Sequence, residues 1–572
     1  MIQRADALAA LERDEFDVVV IGGGITGAGV ALDAASRGYS VALVEKADYA
    51  SGTSSRSSKL VHGGLRYLQN FDLGLVREAL LERQLMVNLA PHLVKPLALL
   101  IPAFDGKRAD RMVGTGLHMY DVMARERLRG RGDDEWSPER HRTIDAAETV
   151  ELLPALAARE PTSAYLFYDC QTDDARLVLT VLGEAERFGA VCCNGVEVSG
   201  LFERDGRAAG VLCRDSVGGG EFELIATNVV NATGVWADRL RPDELHDEAE
   251  VPQIRPSRGT HVTVSQDDLP VVAGAIVPAG SGRSIFVLPW LGRTLIGTTD
   301  NDYEGSIDHV PPSETDIEYL LNATNEFFGS SLKDADLTGA YAGVRPLIAT
   351  GDPKKSVDIS RKAELYETSS GLVTITGGKL TTWRRMAKLA VDRIVEREGR
   401  EAPCRTHEIP LGMPAEPEEL EAFGPVGEDS RDHLAGRYGH AAVEVLEMAT
   451  SSPAMAARPS PDLPDLVAEA AFAARREQAR SLADVMLRRT RLGLLDARRL
   501  VDPAAAGAEA MARAMGTELD WDDAEVAAQI DMWQRIAGVE GLVPGAPVDN
   551  ARGAHAPRTP VAGNPPHSPE GV

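Results

Sequence analysis

A glycine cluster that follows an apolar run constrains the fold of this chain more than any other feature. Gly22, Gly24 and Gly27 have the spacing GxGxxG. Residues 16–21 are β-branched and apolar, as in a buried parallel strand, and residues 28–37 have the composition of a helix. A strand, a glycine-rich turn and a helix in this order predict a βαβ unit that opens a doubly wound sheet.

An acidic residue ends the next predicted strand, 41–45. Glu45 lies about 20 residues beyond Gly24, where a carboxylate can accept hydrogen bonds from ribose hydroxyls. The glycines let the backbone approach a pyrophosphate, which would lie at the positive end of the helix dipole. The unit therefore predicts a dinucleotide cofactor. It disfavours NADP, because Glu45 would repel a 2′-phosphate, and it leaves NAD and FAD open.

The segments after this unit favour FAD over NAD. Ala31 and Gly38 continue the glycine pattern with a spacing that resembles the fingerprint of glutathione-reductase-type FAD-binding folds. Residues 48–59 form a loop rich in hydroxyl groups, which an extended FAD needs along its ribityl chain and pyrophosphate. The loop runs into 60–67, where glycines next to an Arg-Tyr pair predict backbone packed close to a flat ring and a polar substrate.

Two later segments fit the same plan, although each is also compatible with ordinary strand–turn–helix structure. Residues 229–236 form a strand that ends in a turn of small residues, which suits close passage over a cofactor. Residues 374–384 have the pattern of a strand, a Gly-Gly turn and a helix, and this pattern would point the N-terminus of the helix at the polar edge of a flavin. The predicted cofactor-binding residues are Gly22, Gly24, Ile25, Thr26, Gly27, Glu45, Lys46, Thr53, Ser54, Ser58, Lys59, His62, Gly63, Gly64, Ala232, Thr233, Gly234, Lys379, Leu380 and Thr381.

Composition excludes several classes of function. The chain has 572 residues, of which 44% are hydrophobic and 26% charged, as in a soluble protein of several domains. Its formal charge of −27 argues against a nucleic-acid partner, and an anionic ligand would need local Arg and Lys residues. The five cysteines form no CxxC pair, so we predict a reduced, cytoplasmic protein without a metal site. No apolar run reaches the roughly 20 residues of a membrane-spanning helix.

Several motifs together resemble one family. The run SGTSSRSSKLVHGGLRYL over 51–68 resembles the aerobic, FAD-dependent glycerol-3-phosphate dehydrogenases, within the oxidoreductase superfamily of the glutathione-reductase and D-amino-acid-oxidase type. The other motifs that match are RGTH at 258–261, GTTD at 297–300, YAGVRPL at 341–347, GGKLTT at 377–382 and LRRTRLG at 487–493. They keep the family's order over roughly residues 14–545.

The resemblance implies an activity and its partners. Such enzymes oxidise sn-glycerol 3-phosphate to dihydroxyacetone phosphate, move a hydride from C2 to a non-covalent FAD, and pass the electrons to a membrane quinone. They are peripheral proteins on the inner face of the cytoplasmic membrane. A homodimer is one assembly compatible with the resemblance.

The composition of successive segments and the resemblance together predict an α/β architecture. β-rich segments are predicted at 190–215, 221–231, 261–264, 284–288, 294–297 and 372–376, and helices at 466–488 and 523–536. The predicted parts are a discontinuous Rossmann-like FAD-binding domain (14–90, 161–257 and 340–400), a β-rich substrate-binding domain (91–160 and 258–339), a C-terminal all-helical cap domain (401–546) and a disordered tail (547–572).

The residues of the proposed substrate site follow from the chemistry of a phosphate ester. A dianionic phosphate favours several cations, with Arg suited to two-pronged contacts. The predicted substrate-binding residues that match the family are Arg66, Tyr67, Arg361 and Lys379. Oxidation at C2 also needs a group that takes the hydroxyl proton, for which a neutral His is suited. We predict His261 as that base or proton relay and Arg345 as the group that polarises the C2 oxygen, with their division of labour left open.

Each of these residues also has a simpler interpretation. His261 stands in an alternating strand, where it could be a hydrogen-bonded structural residue, and Arg361 could form a surface ion pair. His62 could attach the flavin covalently, but members of the family bind FAD without a covalent bond. The basic clusters 125–131 and 488–491 could be lipid-facing patches or solvated helix faces.

Three other functions remain as alternatives. A soluble glycerol-3-phosphate oxidase would share the fold and the substrate site and would pass electrons to oxygen. An FAD-dependent amine or amino-acid oxidase would need one Arg and an aromatic cage, which the 5% aromatic content disfavours. A non-catalytic flavoprotein would lack the His and Arg positions that this chain has.

Overall fold

The computed structural model describes residues 1–64, 72–105, 111–125, 139–240, 253–280, 282–349, 363–424 and 426–545. The strands in these ranges are β1 Phe16–Ile21, β2 Val41–Glu45, β3 Leu60–Val61, β4 Lys95–Ala103, β5 Arg142–Asp145, β6 Ser163–Gln171, β7 Val191–Asn194, β8 Val196–Arg204, β9 Arg207–Asp215, β10 Glu221–Asn231, β11 Gln253–Ser265, β12 Gly274–Pro278, β13 Ser284–Trp290, β14 Arg293–Gly297, β15 Asn301–Asp302, β16 Leu337–Ala349, β17 Ala363–Glu367 and β18 Val373–Gly377. The α-helices are α1 Arg4–Arg13, α2 Ile25–Ser36, α3 Leu73–Leu89, α4 Arg111–Arg125, α5 Ala146–Leu152, α6 Asp174–Arg187, α7 Glu314–Phe328, α8 Trp383–Glu398, α9 Pro417–Glu421, α10 Glu428–Tyr438, α11 Ala442–Thr450, α12 Ala468–Arg476, α13 Leu482–Asp484, α14 Leu492–Leu495, α15 Ala497–Leu500, α16 Ala506–Leu519 and α17 Asp523–Val539.

The first sheet is built around β1. Its order is β17-β18-β10-β1-β2-β7, and β9 and β8 continue it from β10. β1 pairs in parallel with β10 on one side and with β2 on the other, and helix α2 connects β1 to β2. The predicted βαβ unit is therefore confirmed. In such sheets, ligands bind beyond the carboxyl ends of the strands at the point where the strand order reverses, which here is next to β1.

The second sheet has ten strands and is mostly antiparallel. Its order is β15-β11-β14-β13-β12-β4-β6-β3, with β16 paired to β11 and β5 paired to β6. The long pair β11–β16 runs from Gln253↔Ala349 to Val264↔Leu337. Each of the predicted β-rich segments contains a strand or part of one, and the predicted α/β class with a β-rich second unit is confirmed.

The sheets divide the chain differently from the predicted domain boundaries at four places. The second sheet contains β3, β6, the start of β11 and most of β16, which the predicted boundaries place in the FAD-binding domain. β3 is only two residues long and pairs with β6, so the chain crosses from one sheet to the other directly after the loop 48–59. Composition does not show such a crossing, because both sheets draw on the same β-branched residues.

The region from Pro417 to Val539 is helical, as predicted, but one predicted helix is wrong. The stretch 466–488 contains α12, a break, α13 and a short π-helical turn at Val485–Arg489. The break lies at Gln478, whose backbone is left-handed (φ 54°) and whose side chain bonds to the backbone of Cys192 and Asn194. These contacts lie nearly 300 residues away along the chain, so helix propensity alone could not indicate the break.

The basic cluster 488–491 faces the protein interior, which corrects both of its predicted interpretations. Arg489 and Arg491 are fully buried, and Arg488 is nearly so. Arg488 and Arg489 form ion pairs with Asp48 at 2.5 and 2.8 Å. The cluster therefore joins the helical region to the loop after β2 and is neither a lipid-facing patch nor a solvated helix face. The cluster 125–131 lies almost entirely outside the described residues.

The ion pairs of Asp48 predict a pH-dependent contribution to stability. Burial opposes ionisation, but Arg489 and Arg488 outweigh it and lower the pKa of Asp48 to about 2. Because this pKa lies below that of an unfolded Asp, the stabilisation is complete above pH ~4 and is lost as the pH falls towards ~2. We expect Asp48→Asn to lower the free energy of unfolding at pH 7 by about 3 kcal/mol, since it removes the carboxylate that two buried guanidinium groups share.

Thermal unfolding of both proteins between pH 7 and pH 3 measures this difference. The difference in melting temperature between the wild type and Asp48→Asn should become smaller below pH ~4. Asp429→Asn is the control, because its partner Arg458 is a surface residue and the pair should contribute little. A difference in melting temperature that stays constant with pH would contradict the lowered pKa of Asp48.

No helix in the described ranges is long and apolar enough to cross a bilayer.

Candidate active site

A cavity of about 1410 Å³ opens at the carboxyl end of the first sheet and extends along the second sheet. Its volume exceeds the range of an ordinary small-ligand pocket and suits a dinucleotide together with a substrate. The predicted site residues that line it are Gly22, Gly24, Ile25, Thr26, Glu45, Lys46, Thr53, Ser54, Ser58, His62, Gly64, Ala232, Thr233, Gly234, His261, Arg345, Lys379, Leu380 and Thr381. Three predicted substrate residues, Arg66, Tyr67 and Arg361, lie outside the described residues.

The turn after β1 accepts only glycine at two of its positions. Gly22 has a φ of +110°, and a Cβ there would lie 2.8 Å from the carbonyl oxygen of Ala232. A Cβ on Gly27 would lie 1.9 Å from the carbonyl oxygen of Gly22. The turn therefore closes tightly and presents the N-terminus of α2 to the cavity, where Gly24 is the cap residue. This geometry fits the pyrophosphate of a dinucleotide.

Glu45 is held at the end of β2 with its carboxylate in the cavity wall. One carboxylate oxygen accepts from the Gly23 N–H at 2.7 Å and the other from the Ala47 N–H at 3.0 Å. Burial raises the pKa of Glu45, and these two N–H groups oppose the shift. Each oxygen keeps a further lone pair, so the carboxylate can still accept a ribose hydroxyl.

The rim next to Glu45 contains an ion pair. The Lys46 ammonium lies 2.8 Å from Asp308 and 4.3 Å from the ring centre of Trp236. The indole N–H of Trp236 also donates to Asp308, at 2.8 Å. Lys46 and Trp236 therefore form one edge of the cavity. Trp236 was not predicted, because its place after the small-residue turn is its only signal in the sequence.

Three predicted cofactor residues lie behind the cavity wall instead of on it. Gly27 closes the turn against Gly22, as described above. The Gly63 N–H donates to the Tyr120 hydroxyl at 2.8 Å, and a Cβ there would lie 2.5 Å from that same oxygen. Lys59 is fully buried in an ion pair with Asp174. These positions support the cofactor site from behind, and these partners of Gly63 and Lys59 lie at least 57 residues away along the chain.

His261 projects from β11 into the cavity and is fixed by three neighbours. Its ring stacks on Tyr341, with ring centres 4.8 Å apart and an interplanar angle of 11°. The Ser58 hydroxyl lies 2.9 Å from Nε2. A Cβ on Gly297, the residue opposite on β14, would lie 2.2 Å from the imidazole, so only glycine leaves room for the ring.

The imidazole of His261 is neutral at pH 7. Burial lowers its pKa well below the usual value, and the positive charges of Lys59 and Arg345 lower it further. Within the described ranges, Nδ1 has no hydrogen-bond partner. A buried neutral imidazole that lines the cavity is suited to exchange a proton with a bound ligand.

Arg345 lies on β16, the strand that pairs with the strand of His261. Its guanidinium contacts Asp300 at 3.1 Å and the hydroxyl of Thr298 at 3.3 Å. Gly259 makes room for it, since a Cβ there would lie 2.7 Å from the guanidinium. The side chain is about one-third exposed, at 30%, so it can reach a bound anion.

Two residues of this site, Asp300 and Tyr341, were not predicted as functional. Both belong to motifs that matched the family, and Asp300 lines the cavity beside Arg345. Their roles depend on strand pairing, which brings 300 and 341 next to 345 and 261. The motif GTTD at 297–300 was the signal that could have indicated Asp300.

One group of described residues has spacing compatible with a metal ion, namely His433, Asp465 and Glu469. Arg437 forms ion pairs with both carboxylates. A guanidinium therefore already balances the charge that would attract a cation, and the group joins helices of the C-terminal region.

Comparison with known proteins agrees with this geometry. Residues 17–393 match the family profile described as FAD dependent oxidoreductase, and residues 374–526 match the C-terminal domain of alpha-glycerophosphate oxidase. A glycerol-3-phosphate dehydrogenase 2 of Mycobacterium tuberculosis is 38% identical over 96% of this chain and 92% of its own length. The chain belongs to the glycerol-3-phosphate dehydrogenase family of FAD-dependent oxidoreductases.

Two further similarities support the assignment. The aerobic glycerol-3-phosphate dehydrogenase of Bacillus subtilis is 34% identical over 86% of this chain and 89% of its own length. The crystal structure of the glycerol-3-phosphate dehydrogenase from Bacillus halodurans, complexed with FAD, has a TM-score of 0.74 and 29% identity, and the match covers 94% of this chain and 97% of that one. The family confirms FAD as the cofactor. The glycine turn, Glu45 and the size of the cavity fit it.

Proposed function

We propose that this chain oxidises sn-glycerol 3-phosphate to dihydroxyacetone phosphate and passes the electrons to a respiratory quinone. The observation that carries the proposal is a neutral, buried imidazole beside a guanidinium in the same cavity as the FAD-binding turn. Bound FAD supplies the group that takes the hydride from C2. The residues of the chain bind the phosphate, orient C2 and receive the proton.

His261 is the proton acceptor in this proposal. When C2 loses its hydride, the hydroxyl proton moves to the imidazole and the C2–O bond becomes a carbonyl. The Ser58 hydroxyl at Nε2 and the stacked ring of Tyr341 fix the ring orientation. The two negative charges of a nearby phosphate would favour the imidazolium that forms, which offsets the effect of burial.

Arg345 binds and polarises the substrate. Asp300 and Thr298 hold its guanidinium in place, so its remaining N–H groups keep a fixed direction. Lys379, which lines the same cavity, adds a second positive charge. Two cations suit a dianionic phosphate ester, and they also favour negative charge that develops on the cofactor.

An apolar extension of the cavity supports a quinone as the electron acceptor. Its lining side chains are Leu99, Ile101, Met112, Val113, Met119, Ile276 and Phe286. Three of these, Met112, Val113 and Met119, come from α4, and the same helix leaves Met112 82% exposed. A hydrophobic quinone could enter through such a surface, and α4 could rest on the inner face of the cytoplasmic membrane as a peripheral contact.

The second candidate function is a glycerol-3-phosphate oxidase that uses oxygen. The match of residues 374–526 to a domain of alpha-glycerophosphate oxidase is the observation that favours it. The family to which the chain belongs argues against the amine or amino-acid oxidase alternative.

Reoxidation of the substrate-reduced enzyme distinguishes quinone from oxygen as the electron acceptor. We expect a short-chain quinone to restore the flavin absorbance much faster than dissolved oxygen. The reverse order would favour the oxidase.

The membrane contact is tested with vesicles that contain anionic lipid. We expect Met112→Asp to weaken co-sedimentation of the protein by about tenfold, because a charge in the apolar contact opposes insertion. Met413→Asp is the matched control, since Met413 is also exposed, at 63%, but lies far along the chain in the C-terminal region. An equal loss of vesicle binding in both variants, or no loss in either variant, would contradict a contact through α4.

A further inference from the structure

Three fully buried charged side chains meet behind the cavity wall: Lys59, Asp174 and Arg491. Each has 0% exposure. Lys59 ends the cofactor loop, Asp174 begins α6, and Arg491 comes from the C-terminal helical region just before α14. We call this group the buried triad. The reaction proposed above uses none of the three, although they lie one layer behind His261.

The buried triad holds the loop on one side of Ser58. The Lys59 ammonium donates to the Ser55 carbonyl at 2.7 Å and to Asp174 at 2.8 and 3.0 Å. The Arg491 guanidinium donates to the same carbonyl at 2.6 Å and to the same carboxylate at 3.0 Å. Two basic side chains therefore share one backbone acceptor and the carboxylate of Asp174, which fixes residues 55–59 as a closed turn.

The carboxylate of Asp174 also holds the residue directly before Ser58. It accepts from the backbone N–H of Ser57 at 3.0 Å and from its hydroxyl at 2.7 Å. The Tyr341 hydroxyl donates to the Ser57 carbonyl at 2.9 Å. The backbone on both sides of Ser58 is thus tied to buried partners, and Ser58 is the residue whose hydroxyl lies 2.9 Å from His261.

We propose that Arg491 is a positioning residue for the proton acceptor, acting through Asp174 and the loop 55–59 to set the Ser58–His261 contact. The inference rests on the proposed function, in which His261 receives the C2 proton. The C-terminal helical region then influences the rate of substrate oxidation through Arg491, although Arg491 itself does not line the cavity.

The chemistry of the cluster supports positioning over simple stabilisation. Burying three charges gains little stability over apolar residues of similar size, because the desolvation cost offsets the attraction. A network in which every charged group has two or more partners instead restricts its members to one arrangement. Lys59 also lies 4.8 Å from the centre of the Tyr341 ring, so the network contacts both neighbours that hold the imidazole.

A double-mutant cycle tests the proposal. The variants are Arg491→Lys, which keeps the charge but cannot reach both acceptors, Ser58→Ala, and the two combined. We measure the limiting rate of flavin reduction by glycerol 3-phosphate in an anaerobic stopped flow, after matching the FAD content of each sample. We expect each single variant to slow reduction about tenfold and the double variant to be about as slow as either, because both act on one contact.

Arg176→Lys is the matched control. Arg176 is also buried, and it also joins α6 to the helical region, through its ion pair with Glu477. Within the part of the chain that the structure describes, it makes no hydrogen bond to the loop 55–59. Its reduction rate should stay within about twofold of the wild type. If Arg491→Lys prevents folding, Tyr341→Phe replaces it in the cycle, because it removes only the bond to Ser57 and should be similarly coupled to Ser58→Ala.

The outcomes separate this inference from the proposed function. A wild-type enzyme that glycerol 3-phosphate does not reduce overturns the proposed function. A wild type that is reduced, with a double variant about a hundredfold slower than wild type or with Arg491→Lys no slower than Arg176→Lys, overturns the positioning role alone.

Discussion

Replacing His261 with asparagine is expected to slow reduction of the flavin by glycerol 3-phosphate by about a hundredfold to ten-thousandfold. This is the usual contribution of a positioned group that transfers a proton in the rate-limiting step. Asparagine is smaller than histidine and can still bond to Ser58, so the cavity should keep its shape. The FAD content should be unchanged, because the cofactor turn and Glu45 belong to the other sheet.

Anaerobic stopped-flow spectroscopy measures the effect at saturating substrate, where binding does not limit the rate. His440→Gln is the control, since His440 is an exposed residue that pairs with Glu419. Its rate should equal that of the wild type. A His261→Asn enzyme that is reduced within about threefold of the wild-type rate would show that another group takes the proton.

Replacing Gly27 with alanine is the second large effect that we expect. Its Cβ would lie 1.9 Å from the Gly22 carbonyl oxygen, and Gly22 itself has no space beside it, since a Cβ there would lie 2.8 Å from the Ala232 carbonyl oxygen. The turn therefore cannot relax without moving the backbone that faces the pyrophosphate. We expect the purified variant to contain less than about a tenth of the wild-type FAD.

The visible absorbance of the flavin, relative to the protein absorbance, gives the FAD content directly. Gly183→Ala is the control for a glycine-to-alanine change inside a helix. Gly183 lies in α6 with open space around it, so its substitution should slightly stabilise the protein. A Gly27→Ala protein with full FAD content would contradict the close approach of Gly27 to Gly22.

The first βαβ unit could be predicted from sequence because its signals are local. The strand β1, the glycine turn, α2 and the strand that ends at Glu45 lie within 30 residues, and each follows from hydrophobic pattern and turn chemistry. His261 and Arg345 were found because the family motifs mark them. Their joint location in one cavity, however, depends on the pairing of β11 with β16, which no local pattern specifies.

Residues whose role depends on distant partners were predicted less well. Lys59 looked like a cofactor contact because it ends a hydroxyl-rich loop, but its partner Asp174 lies 115 residues away. The arginines at 488–491 suggest a surface cluster from sequence alone, because Asp484 is the one acidic residue within four positions of them and cannot balance three positive charges. Their partners, Asp48 and Asp174, come from the first half of the chain.

Anaerobic addition of glycerol 3-phosphate to the FAD-loaded wild-type protein tests the central claim most directly. The account predicts that the visible flavin band bleaches, that one dihydroxyacetone phosphate forms per flavin reduced, and that a short-chain quinone restores the band. A band that stays unchanged, with FAD bound and the substrate in large excess, would contradict the assignment of His261 and Arg345 to glycerol 3-phosphate oxidation.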